Sequence, residues 1–298
     1  MEIKRNYDML DLVKLISSIF VISIHSNALR TISPLANSLV CNGIARLAVP
    51  FFFTCSAFLF FKSKTTKEKT IAYSRRILTL YLSWFVVMLP ITVYDRFIVP
   101  DKPFLRNLLT FFQSIFLSST FSGSWFLTSC IFCVWLFFFI EKRKIPRAAV
   151  IGLCCAAYLF CCLSSGYGNL IPKIGLSGVY EAYRALFLSP YTSIIVGASY
   201  FALGKHFAEC ERKNSFFLSV KSTAVCLFAS VLLLLGEVYF CKKAFAFGNN
   251  RLLSDAFPLQ RFSLFTRRQK QGKNQKRPHI EKNINGFLFL PLYLAVLL

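Results

Sequence analysis

Three ionisable side chains sit inside an otherwise apolar run over residues 9–29: Asp11, Lys14 and His25. Charge at that depth in a bilayer is costly, so such residues are functional candidates by default. Lys14 and His25 are separated by almost whole helical turns. Both therefore project from one face, about 16 Å apart along the axis. Asp11 and Lys14 stand at i and i+3 and can pair. An imidazole titrates near neutrality and suits general base work. The bland alternative is a Lys14 that snorkels and a His25 at the headgroup level. Arg46 precedes a proline in RLAVPFFFTCSAFLFF. It can act as an ion-pair partner, a ligand clamp or an interfacial anchor. Pro50 removes a backbone donor and lets a helix bend there. Arg75 and Arg76 open a later apolar block, where ordinary charge anchoring is the simpler account. Trp125 opens another, and a tryptophan at a membrane interface is commonplace.

These residues need long helices to hold them. The chain has 298 residues, 55% of them hydrophobic and 16% charged. Soluble domains carry roughly 25% charged residues. The apolar residues fall in blocks of about twenty, long enough to cross a hydrocarbon layer ~30 Å thick. In lipid the backbone must satisfy itself, so such blocks are helices. The blocks lack the alternation of barrel strands. The expected fold is an all-α, multi-spanning transmembrane helix bundle. Seven spans are read at about 9–29, 41–61, 77–98, 124–140, 148–164, 190–204 and 216–236, with an eighth conceivable near 251–265. The sixth can begin earlier, near Tyr180. Residues 103–119 carry Arg106 and Gln113 and read as an interfacial helix. Most of the eleven cysteines lie within apolar blocks, where a thiol packs as a small hydrophobe. The Cys130/Cys133 pair has no second pair, so no metal is expected.

The net charge is +22. The basic residues sit between apolar blocks, which marks cytoplasmic loops and argues against nucleic acid. One set of connections holds Lys62, Lys64, Lys67, Lys69, Arg75 and Arg76, then Lys142, Arg143, Lys144 and Arg147, then Lys205, Arg212, Lys213 and Lys221. The opposite set is poorer. The N-terminus is therefore expected in the cytoplasm and the 165–185 connection outside, in a multi-pass protein of the cell membrane. Residues 1–250 read as one membrane domain. Residues 251–298 read as an atypical basic tail with a short apolar end. Arg251, Asp255 and Arg261 fall where another span is expected.

Four landmarks in order resemble the acyltransferase-3 family of membrane acyltransferases. YDMLDLVKLISSIFVISIHS is similar to its opening pattern, an Asp, a basic residue three on, and a His after ten more. RLAVPFFFTCSAFLFF resembles its second-span motif, and RRILTLYLSW and SWFL resemble the next two. FALGKHF is a weaker sixth match. The likeness covers roughly 1–240 and is most specific over the first 130 residues. Ala57 stands where the family usually has Gly, and Thr79 where a second Arg is frequent. The family's late landmark is absent after residue 250, so the tail is expected to reflect a frameshift or an early stop.

The resemblance implies an O-acyltransferase that moves an acyl group, usually acetyl from acetyl-CoA, to a hydroxyl of a surface glycan or cell-wall component. It implies acyl-CoA as a substrate rather than a bound cofactor, the glycan acceptor and the lipid bilayer as partners, and no nucleic acid. His25 would be the base, with Lys14 and Asp11 beside it. Arg46, Arg75, Arg76 and Trp125 would contact substrates, with Arg75 and Arg76 at the CoA phosphates. The alternative is a transporter or flippase for an anionic or lipid-linked substrate, although no inverted repeat is visible. A third possibility is an impaired, truncated relative.

Overall fold

A computed structural model describes residues 8–41, 43–98, 103–121, 123–165, 171, 174–189 and 194–213, with residues 228, 232, 235 and 236. The readings over 216–236 and 251–298 therefore lie essentially outside the described residues. Among the described residues every regular element is helical. The chain runs α1 (Asp8–Ser26), α2 (Pro34–Ala36), α3 (Ala48–Phe61), α4 (Lys67–Val93), α5 (Phe104–Leu117), α6 (Ser124–Lys142), α7 (Arg147–Ser165), α8 (Ser177–Phe187) and α9 (Ile194–Lys213). Two π turns, Asn37–Cys41 and Tyr94–Ile98, and a 3₁₀ turn, Ile44–Leu47, link these helices.

Among the described residues, three helical stretches are long and apolar enough to cross a membrane: Pro34–Phe61, Lys67–Ile98 and Ser124–Lys142. They coincide with three of the expected spans. The stretch expected to lie at the interface is α5, whose fourteen residues reach about 21 Å, short of a full crossing. The expected sixth span does not start near Tyr180. The chain breaks instead into α8 and α9, and Leu188 ends α8 at a left-handed φ of 61°.

Local chemistry explains the helix starts. Thr66 caps α4, its hydroxyl accepting the Lys69 N–H at 3.2 Å, with Glu68 in the first turn. Pro50 falls in the first turn of α3, where its missing N–H leaves no helical bond unmade. The approach to α6 turns at Gly123, with φ of 82°. The Ser124 hydroxyl accepts from the Thr120 and Phe121 backbones.

The surface is unlike that of a water-soluble protein. Leu12, Leu15, Ile19 and Ile22 on α1, and Leu82, Val86, Val87 and Ile91 on α4, are exposed. Ser17, Asn37, Thr70, Asn107, Ser114, Ser124, Ser129 and Ser199 are buried. Lipid supplies the solvent for such a surface, and small polar groups join the helices within. Ser199 donates to the Cys154 carbonyl at 2.8 Å, tying α9 to α7. Trp135 Nε1 donates to Ser74 Oγ at 3.1 Å, tying α6 to α4.

The core lies among α3, α6, α7 and α9. Phe53 is fully buried at its centre, its ring 4.5 Å from Phe126, 5.4 Å from Trp125 and 6.1 Å from Tyr200 and Phe201. Such aromatic pairs add about 0.5–1.5 kcal/mol each beyond their buried area. Cys130 and Cys133 pack into the same core as small apolar groups. The seam between α3 and α9 closes on Gly204. A methyl group there would meet the Thr54 carbonyl, Ala57 Cβ at 2.6 Å and the Phe58 nitrogen at 2.9 Å.

Candidate functional site

α1 lies along α3 and its entry turn, with the two running in opposite directions. Two electrostatic couplings at different depths accompany this pairing. Near one end, Lys14 and Asp11 act electrostatically on Cys55 of α3. Toward the other end, His25 interacts with Arg46 of the 3₁₀ turn. The two stations are about 16 Å apart along α1.

The expected Asp11–Lys14 pair forms at 2.8 Å. Asp11 is largely exposed and Lys14 half-buried, so Lys14 carries its charge against α3 while Asp11 neutralises it from outside. His25 sits in the last turn of α1 with an accessible ring. Arg46 is half-buried opposite it. Just beyond, the Asn37 amide donates to Asn27 Oδ1 at 3.4 Å, closing the turn between α1 and α3. Asn37 is fully buried there. A base and a guanidinium from separate segments thus share one end of the bundle. Such a pair can take a proton and hold a developing negative charge at adjacent points.

Arg75 and Arg76 do not join this pair. They are exposed on α4, about 12 Å in from its first residue. Thr79, one turn on, turns its hydroxyl back to the Arg75 carbonyl at 3.0 Å. Trp125 packs its ring against Phe53 and belongs to the core wall. Ala57 is fully buried against Gly204, so the close approach at this point comes from the α9 glycine.

The basic connections gather at the opposite end of the bundle. Lys205 of α9 lies over the rings of Phe61 at the end of α3 and Phe137 near the end of α6. It also pairs with Glu141 at 2.7 Å. Lys69 at the start of α4 acts on Glu141 and Arg212. Arg147 at the start of α7 pairs with Glu209 at 3.6 Å and contacts His206. The chain therefore has a polar pole at His25 and Arg46 and a strongly basic pole at Lys205 and Arg147.

The basic pole also holds a cleft that motif reading missed. It has a volume of about 150 Å³ and is lined by Lys144, Arg147, Lys205, His206, Glu141 and Glu209 over an apolar floor. The sequence did carry a signal. Lys205 and Glu209 stand at i and i+4, directly beside His206. The basic residues around them read simply as loop charge. Burial and the neighbouring Arg147 guanidinium hold the His206 imidazole below its ordinary value of 6.5. Among the described residues no group of three side chains suited to a metal ion occurs.

A family model described as an acyltransferase domain, that of acyltransferase-3, matches residues 7–265. The match runs past residue 240, where the motif resemblance ends. An amino-acid racemase of Enterococcus faecalis is 24% identical over 208 residues, which cover 68% of this chain. The chain spans only 28% of that protein's length. No solved structure matches at a significant level.

Proposed function

The chain belongs to the acyltransferase-3 family, and on that premise we propose that it is a multi-pass O-acyltransferase of the cell membrane. It carries seven to eight spans and keeps its N-terminus in the cytoplasm. It moves an acyl group, acetyl in the simplest case, from acyl-CoA to a hydroxyl of a surface glycan or cell-wall component. The observation that supports this reading is the packing of α1 on the Ile44–Leu47 turn, which brings Arg46 within electrostatic range of His25, two family landmarks from different segments. In the proposed step His25 takes the proton of the acceptor hydroxyl. The oxygen attacks the thioester carbonyl carbon, and Arg46 holds the resulting oxyanion. The carbon–sulfur bond then breaks, the acyl group stays on the acceptor, and the thiolate leaves with the proton from His25. Lys14, charge-balanced by Asp11, faces the donor's path deeper in the bundle. Arg75 and Arg76 meet the donor along that path, and Trp125 shapes the wall behind it. The racemase name belongs to a protein that this chain matches over a minor part, and racemisation is not proposed.

The test uses the purified protein in lipid nanodiscs with radiolabelled acetyl-CoA and a panel of cell-wall polysaccharides. Label on the polysaccharide and free thiol should appear together. His25→Ala should cut transfer by about 10²–10⁴-fold, the usual contribution of a positioned general base. The variant should stay inserted and helical, because the His25 ring packs in no core. Full transfer by the variant would remove His25 from the mechanism. Absence of transfer by the unmodified chain to every acceptor would remove the activity.

A further inference from the structure

We infer that the cleft between the ends of α6 and α9 and the start of α7 binds phosphate groups, those of the acyl-CoA donor. The inference rests on the acyltransferase reading for the identity of that donor. The cleft itself rests on geometry. Three cations line it, Lys144, Arg147 and Lys205, against the two carboxylates Glu141 and Glu209. Each carboxylate already has a cation, Glu141 from Lys205 at 2.7 Å and Glu209 from Arg147 at 3.6 Å. Two more cations, Lys69 and Arg212, act on the same region. Positive charge is therefore left over at the mouth. Lys144 is exposed there and can turn to a ligand, and the Arg147 side chain, 53% exposed, can exchange its contacts with Glu209 and His206 for one.

Size narrows the occupant. At about 150 Å³ the cleft is below the roughly 300–1,000 Å³ of sites that enclose a whole small molecule. It suits a phosphate or diphosphate group whose remainder lies outside. An arginine fork and a flexible lysine are the side chains that grip such oxygens. Inside, the apolar floor of Phe137, Ile140, Val150 and Leu203 accepts no charge, so the anion stops at the mouth. The distance from Phe61, beneath Lys205, back along α3 to Arg46 is about 22 Å. A donor that carries its phosphates and its thioester at opposite ends of a long flexible arm can meet both poles. Phospholipid headgroups share the same phosphate chemistry, and the experiment separates the two sources.

The protein is placed in nanodiscs of uncharged phosphatidylcholine and titrated with CoA by calorimetry, then again in nanodiscs containing phosphatidylglycerol. Lys144→Gln with Arg147→Gln should raise the CoA dissociation constant about tenfold or more, the loss expected when charge-assisted contacts are removed. The salt dependence of binding should flatten in the same variant. Lys205 is left in place because its pairing with Glu141 helps hold the helices, and retention of the monodisperse, helical state is checked. Arg147→Lys should fall between the two. Weaker CoA binding in phosphatidylglycerol, with that lipid retained by the unmodified protein and lost from the variant, assigns the cleft to the headgroup and overturns the donor assignment. Unchanged CoA binding by the double variant, in a protein that still transfers acyl groups, overturns the cleft and leaves the acyltransferase reading intact. CoA binding that depends on the cleft, in a protein that transfers to no acceptor, keeps the cleft and overturns the acyltransferase reading.

Discussion

Gly204 makes the seam between α3 and α9 testable with a single methyl group. In Gly204→Ala the new Cβ would stand 2.6 Å from Ala57 Cβ and 2.9 Å from the Phe58 nitrogen, and closer still to the Thr54 carbonyl. Carbon atoms rest at about 3.5–4.0 Å, so the helices must part by roughly 1 Å. The obstacles are largely backbone, and rotamer changes cannot relieve them. A gap of that size forfeits about a quarter to a half of the dispersion attraction along the seam. Overpacking of this kind typically costs about 1–3 kcal/mol, and backbone obstacles argue for the upper end. Against this stands the gain of about 0.8–1.0 kcal/mol from replacing glycine by alanine within a helix. The net expectation is a loss of about 2 kcal/mol. Gly152→Ala on α7 is the control, because its new Cβ would meet nothing within 4 Å. That variant should gain up to about 1 kcal/mol. Reversible denaturation of both variants in detergent, followed by helical signal, reads the difference directly. Ala57→Gly should recover part of the Gly204→Ala loss, since it removes one of the three obstacles. Equal stability of Gly204→Ala and Gly152→Ala would refute the close packing of α3 on α9.

Two further outcomes are expected, the first from the proposed donor role of Arg75 and Arg76. Replacing Arg75 and Arg76 together by Gln should raise the KM for acyl-CoA more than the KM for the acceptor. A variant whose only defect is altered membrane orientation would reduce the pair to an anchor. The second outcome concerns pH. The His206 pKa is lowered in the folded chain, first by burial and then by Arg147. The stability tied to the uncharged ring is therefore fully present above about 6.5 and lost as pH falls through the lower folded value. Hydrogen-exchange protection at the α7–α9 contact, corrected for the intrinsic pH dependence of exchange, should fall below pH 6.5. Arg147→Gln should make that loss smaller, because one of the two forces lowering the folded value is gone and the ring then protonates closer to 6.5 in the folded chain. A loss of the same size in that variant would show that Arg147 does not act on the ring.

Much of this architecture was legible because lipid imposes a simple rule on sequence. The blocks at 41–61, 77–98 and 124–140 could only be helices, and the helical stretches Pro34–Phe61, Lys67–Ile98 and Ser124–Lys142 cover them. The gathering of the basic connections at one pole also followed from charge alone. The orientation inside a block did not. In VPFFFTCSAFLFF every face is apolar, so nothing marks Phe53 for the centre of the core and leaves Phe51 and Phe52 only half-buried. Trp125 looked like an interfacial ring for the same reason, since its inward packing depends on Phe53 across the bundle. The break between α8 and α9 was partly legible, since the sixth span reads from residue 190, but Leu188 ends α8 at a positive φ without a glycine to rule out a start near Tyr180. The Asp11–Lys14 pair was readable because it is local. The meeting of His25 and Arg46 is not local, and spacing within α1 could only supply one half of it.

The separation of the two poles constrains any mechanism. The His25–Arg46 pair and the Lys205–Arg147 region are joined by α3, which Arg46 enters at one end and Phe61 leaves beneath Lys205 at the other. A substrate held only at the basic pole would present nothing to His25, because about 22 Å of helix intervenes. A substrate held only at the His25 pole would leave the surplus cations without a ligand. On the proposed reading this spacing is useful. Phosphates bound far from the reacting carbon fix the donor without adding charge near the oxyanion that Arg46 must hold, and binding energy from a remote group can serve the chemical step. Shortening the donor arm then becomes the informative perturbation. A short acyl thioester without phosphates, such as the N-acetylcysteamine thioester, should still be accepted at His25. It should show a much higher KM and should be indifferent to Lys144→Gln and Arg147→Gln. Equal sensitivity of the short and full donors to those substitutions would mean that the basic pole acts on the fold of the site rather than on the donor, and the two-pole mechanism would fail.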